Sequence, residues 1–312
     1  MSEHRILDFS SSPYRLHIRY EQLVIEPENG SKQTVPLEEI AVVLVSHRKI
    51  SFTQAVLEGI AEHGGILIAC NHKSLPVGVY TPLAAHCEPA QRIQMQITTS
   101  EPLLKKAWKQ IVQTKIRNQG TLLNKLHGSD YGLSGWSKRV RSGDPHNVEA
   151  YAAKRYWKHL FYERDSVNPA FRRDRTGDDF RNLALNYGYG VLRAAVARAV
   201  CAVGFHPAIG LHHHNKYNAY CLADDLMEPF RPAVDEAVYM LTPAACGGEL
   251  TSEIKQQLLA PLLGRFRVNG ELETLFDAST QLAESLVNFF DKRCKKLRLP
   301  DSCEVYEEPK PF

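Results

Sequence analysis

Two short segments of the chain concentrate side chains that can bind a cation. Residues 210–215 read GLHHHN, and residues 222–232 read LADDLMEPFRP. If the second segment is helical, Asp225 and Glu228 are three positions apart and share one face of the helix. Pro229 disfavours regular helix immediately before it, which could set Glu228 at a bend facing a cleft.

A third candidate, Glu149, precedes an amphipathic segment. Residues 128–143 are rich in Gly and Ser and are predicted to be a loop, after which Asp144 can cap a helix and Pro145 can occupy its first turn. Glu149 then lies in the first turn or two of that helix.

One imidazole and two carboxylates from these segments would form a mixed nitrogen and oxygen site. Such a site suits Mg²⁺ or Mn²⁺ and leaves coordination positions for water and a substrate phosphate. Zinc could also be held, but carboxylates are in the majority and no thiolate ligand is evident. The harder cations are therefore the expected cofactors.

Each feature also has a commoner explanation when it is taken alone. Three adjacent histidines are more often a polar loop, and the acids Asp224, Asp225 and Glu228 are more often a solvated helix face. An acid such as Glu149 early in a helix is favoured simply by the helix dipole. Composition and spacing alone leave the metal site as the minority interpretation.

The elements that would position these residues change in type along the chain. The first 80 residues contain short β-branched runs separated by turn residues, with one helical stripe at residues 51–63. From about residue 88, long helical patterns follow, at residues 103–127, 179–205, 223–227, 235–241, 251–263 and 274–297, with a hairpin-like segment at 266–273. The predicted fold class is α+β, with a β-rich N-terminal domain (1–85), an all-α catalytic domain (86–299) and a mobile tail (300–312).

Composition excludes several classes of protein. At 312 residues with 44% hydrophobic and 23% charged residues, the chain has the balance of a globular protein with two cores. No apolar run is long enough to span a bilayer and no signal peptide is evident, so a cytoplasmic protein without a membrane partner is expected. Seven cysteines without CxxC spacing argue against a zinc knuckle and a disulfide framework.

The net charge of +3 indicates no particular partner, but basic residues are clustered. Such clusters are usually solvated faces, and phosphate binding is the alternative. The clusters are Lys105, Lys106 and Lys109; Lys138, Arg139 and Arg141; Arg172, Arg173 and Arg175; and residues 292–298.

Several motifs resemble the universal CRISPR-associated endonuclease and integrase of spacer acquisition. The site segments above belong to the resemblance, and the other motifs are LNYGY at 185–189 followed by Arg193, Gly204 and Pro207, DPHNVEAYAAKRY at 144–156, WKQIVQTKIRNQ at 108–119 and VPLEEI at 35–40. The resemblance covers nearly the whole chain in the family's order. NKYN at 215–218 and EPFRP at 228–232 resemble the branch found beside single RNA-guided effector nucleases, the type II systems.

The resemblance implies specific ligands and neighbours. The family's metal ligands correspond to Glu149, His213 and Glu228, although His212 and His214 flank the histidine and leave its register open. A set of four further residues, Asn186, Tyr189, Asp225 and Arg231, matches motif positions around the site and is expected to orient ligands or phosphate. For Tyr189, packing in the core is an equal alternative.

The resemblance also implies a reaction and partners. The 3′-hydroxyl of a prespacer end would attack a phosphodiester at the border of a CRISPR repeat in double-stranded DNA. The expected assembly is a heterohexamer, in which two homodimers joined through their β domains flank a dimer of a small ferredoxin-like protein. The effector nuclease and a further adaptation protein are additional expected partners.

Two other functions remain open at this stage. A general metal-dependent nuclease for branched DNA would use the same site with water as the nucleophile. A noncatalytic DNA-binding scaffold would use the acids only for structural hydrogen bonds.

Overall fold

The computed structural model describes residues 4–72, 75–82, 88–162, 171–241, 249–302 and 304. The N-terminal part is built from eight strands and one helix. They are β1 (Arg5–Phe9), β2 (Tyr14–Arg19), β3 (Gln22–Pro27), β4 (Gln33–Pro36), β5 (Ile40–Val45), β6 (Ser51–Phe52), α1 (Gln54–Glu62), β7 (Ile66–Cys70) and β8 (Pro76–Tyr80).

These strands form two four-stranded sheets. The first has the order β1-β5-β7-β8, with β8 antiparallel and the other three strands parallel, and the second has the order β4-β3-β2-β6. A two-residue turn joins β2 to β3, and both of its residues, Tyr20 and Glu21, have positive φ angles. Positive φ at both positions is what a type I′ hairpin turn requires, so the hairpin pattern predicted from the sequence is confirmed.

The rest of the described chain is helical apart from one hairpin. Its elements are α2 (Pro89–Thr98), α3 (Glu101–His127), α4 (Leu133–Ser137), α5 (Val148–Leu160), α6 (Phe180–Ala202), α7 (Cys221–Met227), α8 (Arg231–Met240), α9 (Ser252–Leu263), β9 (Arg265–Val268), β10 (Glu271–Thr274) and α10 (Leu275–Phe290). The predicted α+β class is confirmed, and so is the hairpin predicted near residues 266–273.

Three local predictions were wrong. The segment 128–143 contains the short helix α4, whose start is stabilised by Asp130 accepting the N–H groups of Gly132 and Ser134. Helix α5 begins at Val148, so Pro145 lies in the turn before it and not in its first turn. Helix α10 ends at Phe290, seven residues earlier than the apolar pattern indicated.

Two hydrophobic cores organise the molecule. One lies within the N-terminal part and includes Leu16 and Leu23, while the larger core joins the first sheet to the helices. Ile68 of β7 and Trp108 of α3 belong to this larger core. The β-rich part therefore packs directly against the helical part.

Two described residues after α10 are held against strand β9. Pro300 pairs with Val268, and the N–H of Asp301 donates to the carbonyl oxygen of Arg267 at 2.7 Å. Most of the tail predicted to be mobile, including 305–312, lies outside the described residues. None of the described helices combines the length and the apolar character needed to cross a bilayer.

Candidate metal and DNA site

The loop that carries the three histidines is wrapped around one buried carboxylate. Asp225 of α7 is fully buried, and its Oδ2 accepts the backbone N–H groups of Leu211 at 2.6 Å and His212 at 3.0 Å. Its Oδ1 lies 2.5 Å from Nδ1 of His213. Nε2 is consequently the ring nitrogen of His213 that is available to a metal.

Close packing between the loop and α7 requires a glycine at position 210. A Cβ added at Gly210 would collide with the carbonyl oxygen of His213 and would lie 2.9 Å from Oδ2 of Asp225. Because backbone and a fixed carboxylate are the obstacles, a side chain there cannot be accommodated by rotamer changes. Gly210 thus permits the turn that brings His213 to Asp225.

Two of the three histidines contact Trp108 of α3, and they do so in different geometries. The ring of His212 stacks on the buried indole, with ring centroids 4.5 Å apart and an interplanar angle of 2°, while His213 meets the same indole edge-on. His214 is exposed. These positions favour His213 as the ligand within the triple.

The two glutamates meet at a single ammonium group. Nζ of Lys115 lies 2.5 Å from Oε1 of Glu149 and 2.7 Å from Oε2 of Glu228. Glu149 comes from the first turn of α5, whose start is held by Asp144 accepting the N–H groups of Val148 and Glu149. Glu228 comes from the 3₁₀ turn Glu228–Phe230 between α7 and α8, where regular α-helix is interrupted as predicted, although Glu228 itself keeps helical backbone angles (φ −52°, ψ −42°).

The pKa of Glu228 is set by burial and by three basic neighbours. Burial acts to raise the pKa of Glu228, but Arg231, Lys115 and His213 outweigh it and hold that pKa below its usual value. Burial likewise acts to lower the pKa of Lys115, and Glu228 and Glu149 reverse the effect and raise it. The hydrogen bond to Asp225 raises the pKa of His213, against the opposing effect of burial, with further contributions from Asp225 and Glu228.

The donor set fits a hard divalent cation, although the side chains are not arranged around one. No group of three His, Cys, Asp or Glu side chains is placed to hold an ion within the part of the chain that the structure describes. Instead the Lys115 ammonium lies between the two carboxylates. Oε2 of Glu228 is buried and lies 2.7 Å from Nζ of Lys115, so an ion that bound this oxygen would have to take the place of the ammonium.

Behind Glu228 lies a buried polar network. Nη2 of Arg231 lies 3.1 Å from Oε1 of Glu228, and the Arg231 guanidinium also packs on the ring of Tyr189. The hydroxyl groups of Tyr189 and Tyr156 both donate to Asp235, which is buried. Burial raises the pKa of Asp235 to about 6, against the lowering effects of the two hydroxyls and Arg231.

Asn186 supports the segment next to this network. Its side-chain oxygen accepts a hydrogen bond from Nη2 of Arg173 at 2.6 Å, and its amide donates to the carbonyl oxygen of Arg175. The Arg173 guanidinium in turn lies over the ring of Tyr189. Asn186 therefore acts through Arg173 and Tyr189, while Asp225 and Arg231 touch the proposed ligands directly.

The sequence interpretation did not single out Lys115, Trp108 or Asp235. A signal existed for Lys115, because it follows Trp108 by seven residues and Ile111 by four on the buried face of α3. A charged residue within an apolar stripe indicates a buried partner of opposite charge. No pattern in the sequence indicated the partners of Asp235.

Two of the basic clusters lie next to each other. The N–H of Gly143 donates to the carbonyl oxygen of Lys105, and the side chain of Lys105 packs against Gly143. This contact brings the loop 138–143 to the start of α3, where Lys105 and Lys106 are exposed, as are Lys138, Arg139 and Arg141. The third cluster differs, because Arg173 is engaged with Asn182 and Asn186.

Comparison with known proteins identifies relatives over nearly the whole length. The profile of the family described as "CRISPR associated protein Cas1" matches residues 9–245. The CRISPR-associated endonuclease Cas1 of Neisseria meningitidis serogroup C (strain 8013) is 36% identical over 298 residues, which are 94% of this chain and 95% of that protein. A CRISPR-associated endonuclease Cas1 of Pyrobaculum aerophilum is 28% identical over 82% of this chain and 90% of its own length.

Solved structures share the fold at lower identity. A casposase bound to integration product has a TM-score of 0.74 at 16% identity, covering 94% of this chain and 92% of the casposase chain. A Cas1 protein from Thermotoga maritima has a TM-score of 0.63 at 19% identity, covering 92% of this chain and 89% of its own. The family profile and the Neisseria relative together establish that this chain belongs to the Cas1 family.

Proposed function

We propose that the protein is a divalent-metal-dependent DNA integrase of CRISPR adaptation, which inserts prespacer DNA into a CRISPR array. The observation that carries the proposal is that Glu149 and Glu228 contact one shared cation position, while His213 is held by Asp225, three positions before Glu228. Glu149 is 79 positions from Glu228 in the chain, and His213 is 15 positions from it. Membership in the Cas1 family adds to this support.

In the proposed mechanism Glu149, Glu228 and Nε2 of His213 hold Mg²⁺ or Mn²⁺. The bound ion would polarise the scissile phosphate and stabilise charge on the entering and leaving oxygens. Asp225 engages Nδ1 of the His213 ring, which would leave Nε2 to bind the ion. Arg231 stays beside Glu228, where its positive charge keeps that carboxylate ionised.

The reaction is a transesterification of DNA. The 3′-hydroxyl of a prespacer end forms a new phosphodiester bond with the phosphorus at the repeat border, and the bond to the original 3′ oxygen breaks. The leaving oxygen takes up a proton, so no protein nucleophile is needed. Exposed basic side chains at Lys105, Lys106 and the loop 138–141 would track the DNA backbone, and binding should therefore weaken as salt increases.

The proposed assembly follows from the family resemblance. Homodimers would form through the β-rich parts and flank a small ferredoxin-like partner in a heterohexamer. A solved assembly with a TM-score of 0.74 to this chain is described as a Cas6-RT-Cas1–Cas2 complex, and this chain covers 37% of the matched chain. The type II branch, with an effector nuclease and a further adaptation protein, is proposed from the NKYN and EPFRP segments.

An integration assay tests the proposed function. Supercoiled plasmid carrying repeats is incubated with labelled prespacer, Mn²⁺ and the small partner protein, and covalently joined label is measured. His213→Ala should abolish joining and His214→Ala should largely preserve it, because His214 is exposed. A prespacer with 3′-dideoxy ends serves as the substrate control.

The two alternatives give different results in the same assay. Nicked plasmid without joined label would favour a nuclease for branched DNA. Unchanged joining by Glu149→Ala and His213→Ala would favour a scaffold whose acids only form structural hydrogen bonds.

A further inference from the structure

Lys115 is a nearly buried charge at the centre of the candidate site. It is 8% exposed and lies on the inward face of α3 beside Ile111 and Val112, both of which are fully buried. Removing an ammonium group from water is costly unless charged partners compensate for the lost hydration. The position of Lys115 therefore depends on the two carboxylates that it contacts.

The two carboxylates approach Lys115 from different elements. Oε1 of Glu149 reaches Nζ at 2.5 Å from the start of α5, and Oε2 of Glu228 reaches it at 2.7 Å from the 3₁₀ turn after α7. Like-charged carboxylates in a buried site repel each other when no cation lies between them. The ammonium thus joins two segments that are remote in sequence.

Arg231 does not substitute for Lys115 in this arrangement. Its Nη2 lies 3.1 Å from Oε1 of Glu228, whereas Lys115 contacts Oε2 of the same carboxylate. Oε2 of Glu228 and Oε1 of Glu149 are therefore directed toward one shared point, and Nζ occupies it. A second cation coordinated by the same two oxygens would need that point.

We propose that Lys115 is a positioning residue that acts as a built-in counter-cation. Its ammonium holds Glu149 and Glu228 together in the metal-free protein, and a divalent ion displaces it on binding. This inference rests on the proposed metal-dependent function. It assigns Lys115 a role that precedes the reaction, since the residue prepares the site that the metal enters.

The proposal makes metal affinity the result of a competition. Lys115→Met removes the competing charge while keeping a long, flexible side chain in the same space. The variant should be less stable than the wild type without metal, because the buried Glu228 and the half-buried Glu149 then face each other without a cation between them. It should nevertheless bind Mn²⁺ more tightly, on the order of tenfold in dissociation constant.

The experiment is Mn²⁺ titration by calorimetry together with thermal unfolding at zero and saturating Mn²⁺, using the full-length chain. Lys125→Met is the matched control, because Lys125 lies on the same helix but pairs with a different carboxylate. Its Nζ lies 2.6 Å from Oε1 of Glu236. This control should leave the Mn²⁺ dissociation constant unchanged. Lys115→Arg, which keeps the charge, should restore most of the metal-free stability.

The expected signature is a loss of Tm in Lys115→Met that shrinks when Mn²⁺ is saturating. If the variant is too unstable without metal, the double variant Lys115→Met with Glu149→Gln should recover stability, since the repulsion is then removed. Equal or weaker Mn²⁺ binding by Lys115→Met would overturn the proposal, as would a Tm deficit independent of Mn²⁺ or no recovery in the double variant.

Mn²⁺ binding distinguishes a failure of the proposed metal-dependent function from a failure of the role proposed for Lys115. A wild type that binds no Mn²⁺ would contradict the metal-dependent function and the displacement together. A wild type that binds Mn²⁺, with a Lys115→Met variant that binds it no better, would contradict only the role given to Lys115.

Discussion

Nδ1 of His213 lies 2.5 Å from Oδ1 of Asp225, and the same carboxylate accepts the backbone N–H groups at the start of the histidine loop. Histidines that bind metals commonly donate their second ring nitrogen to a carboxylate in this way, which fixes the ring orientation. Asp225 thus couples the loop conformation to the direction of the imidazole.

Asp225→Asn should weaken Mn²⁺ binding about 10- to 100-fold, the usual effect of losing such a partner. The amide cannot orient the imidazole as a carboxylate does, and it presents N–H groups toward the loop. Calorimetric titration measures the change. Asp130→Asn is the control, because Asp130 also accepts two backbone N–H groups but does so at α4. Unchanged affinity in Asp225→Asn would exclude the orienting role.

Single alanine substitutions should separate the three histidines. His213→Ala should abolish specific Mn²⁺ binding, whereas His214→Ala should have little effect because this side chain is exposed. His212→Ala removes the stacking on Trp108 and should weaken binding modestly by loosening the loop. Calorimetric titration of the three variants with Mn²⁺ checks this order. A larger loss of Mn²⁺ affinity in His214→Ala than in His213→Ala would show that His213 is not the ligand.

Gly210→Ala should disrupt the site while leaving the helices folded. The added methyl group would collide with the carbonyl oxygen of His213 and crowd Asp225, so the loop must shift. Gly135→Ala is the control, because a Cβ there meets no atom within 4 Å. Circular dichroism and Mn²⁺ titration measure the two effects. Wild-type metal affinity in Gly210→Ala would show that the close approach at residue 210 does not set the position of His213.

Asp235 should make stability depend on pH. Burial raises its pKa from 3.8 to about 6, so between these values the folded protein binds a proton that the unfolded chain has released. The free energy of unfolding therefore falls as pH rises from about 4 to about 6, by at most about 3 kcal/mol from this group. Asp235→Asn should flatten that part of the profile.

Urea unfolding at several pH values measures the dependence on Asp235. Asp301→Asn is a matched control, since Asp301 accepts the N–H of Gly270 on the β9–β10 hairpin. A profile in Asp235→Asn that keeps the full wild-type slope would show that another group is responsible.

The sequence predicted the fold where local patterns decide the structure. Periodic apolar residues located α3 and α6 to within a few positions, and the β-branched run at 40–45 became the central strand β5. The short helix α4 was less predictable, because its start is stabilised by the side chain of Asp130, which lies outside any apolar stripe. The extension of α10 to residue 297 was wrong because Lys292 adopts a positive φ angle and the N–H groups of Arg293 and Cys294 turn back to the carbonyl oxygen of Asn288.

In the candidate site, features set by neighbouring residues were predictable from the sequence, and contacts between distant residues were not. Pro229 predicted an interruption of regular helix, and the 3₁₀ turn Glu228–Phe230 lies there, although Glu228 keeps the αR conformation that a following proline disfavours. The partners of these groups lie far away in sequence, as Lys115 is 113 positions from Glu228 and Tyr156 is 79 positions from Asp235. Spacing in one chain cannot reveal such contacts, so the partners of Lys115 and Asp235 emerged only from the structure.

Anomalous diffraction from crystals soaked with Mn²⁺ tests the central claim most directly. We expect one peak about 2.0 to 2.3 Å from a carboxylate oxygen of Glu149, a carboxylate oxygen of Glu228 and Nε2 of His213, with Nζ of Lys115 displaced from its position between the glutamates. A peak elsewhere, or bound Mn²⁺ that does not touch His213, would contradict the assignment of these three residues as the metal site.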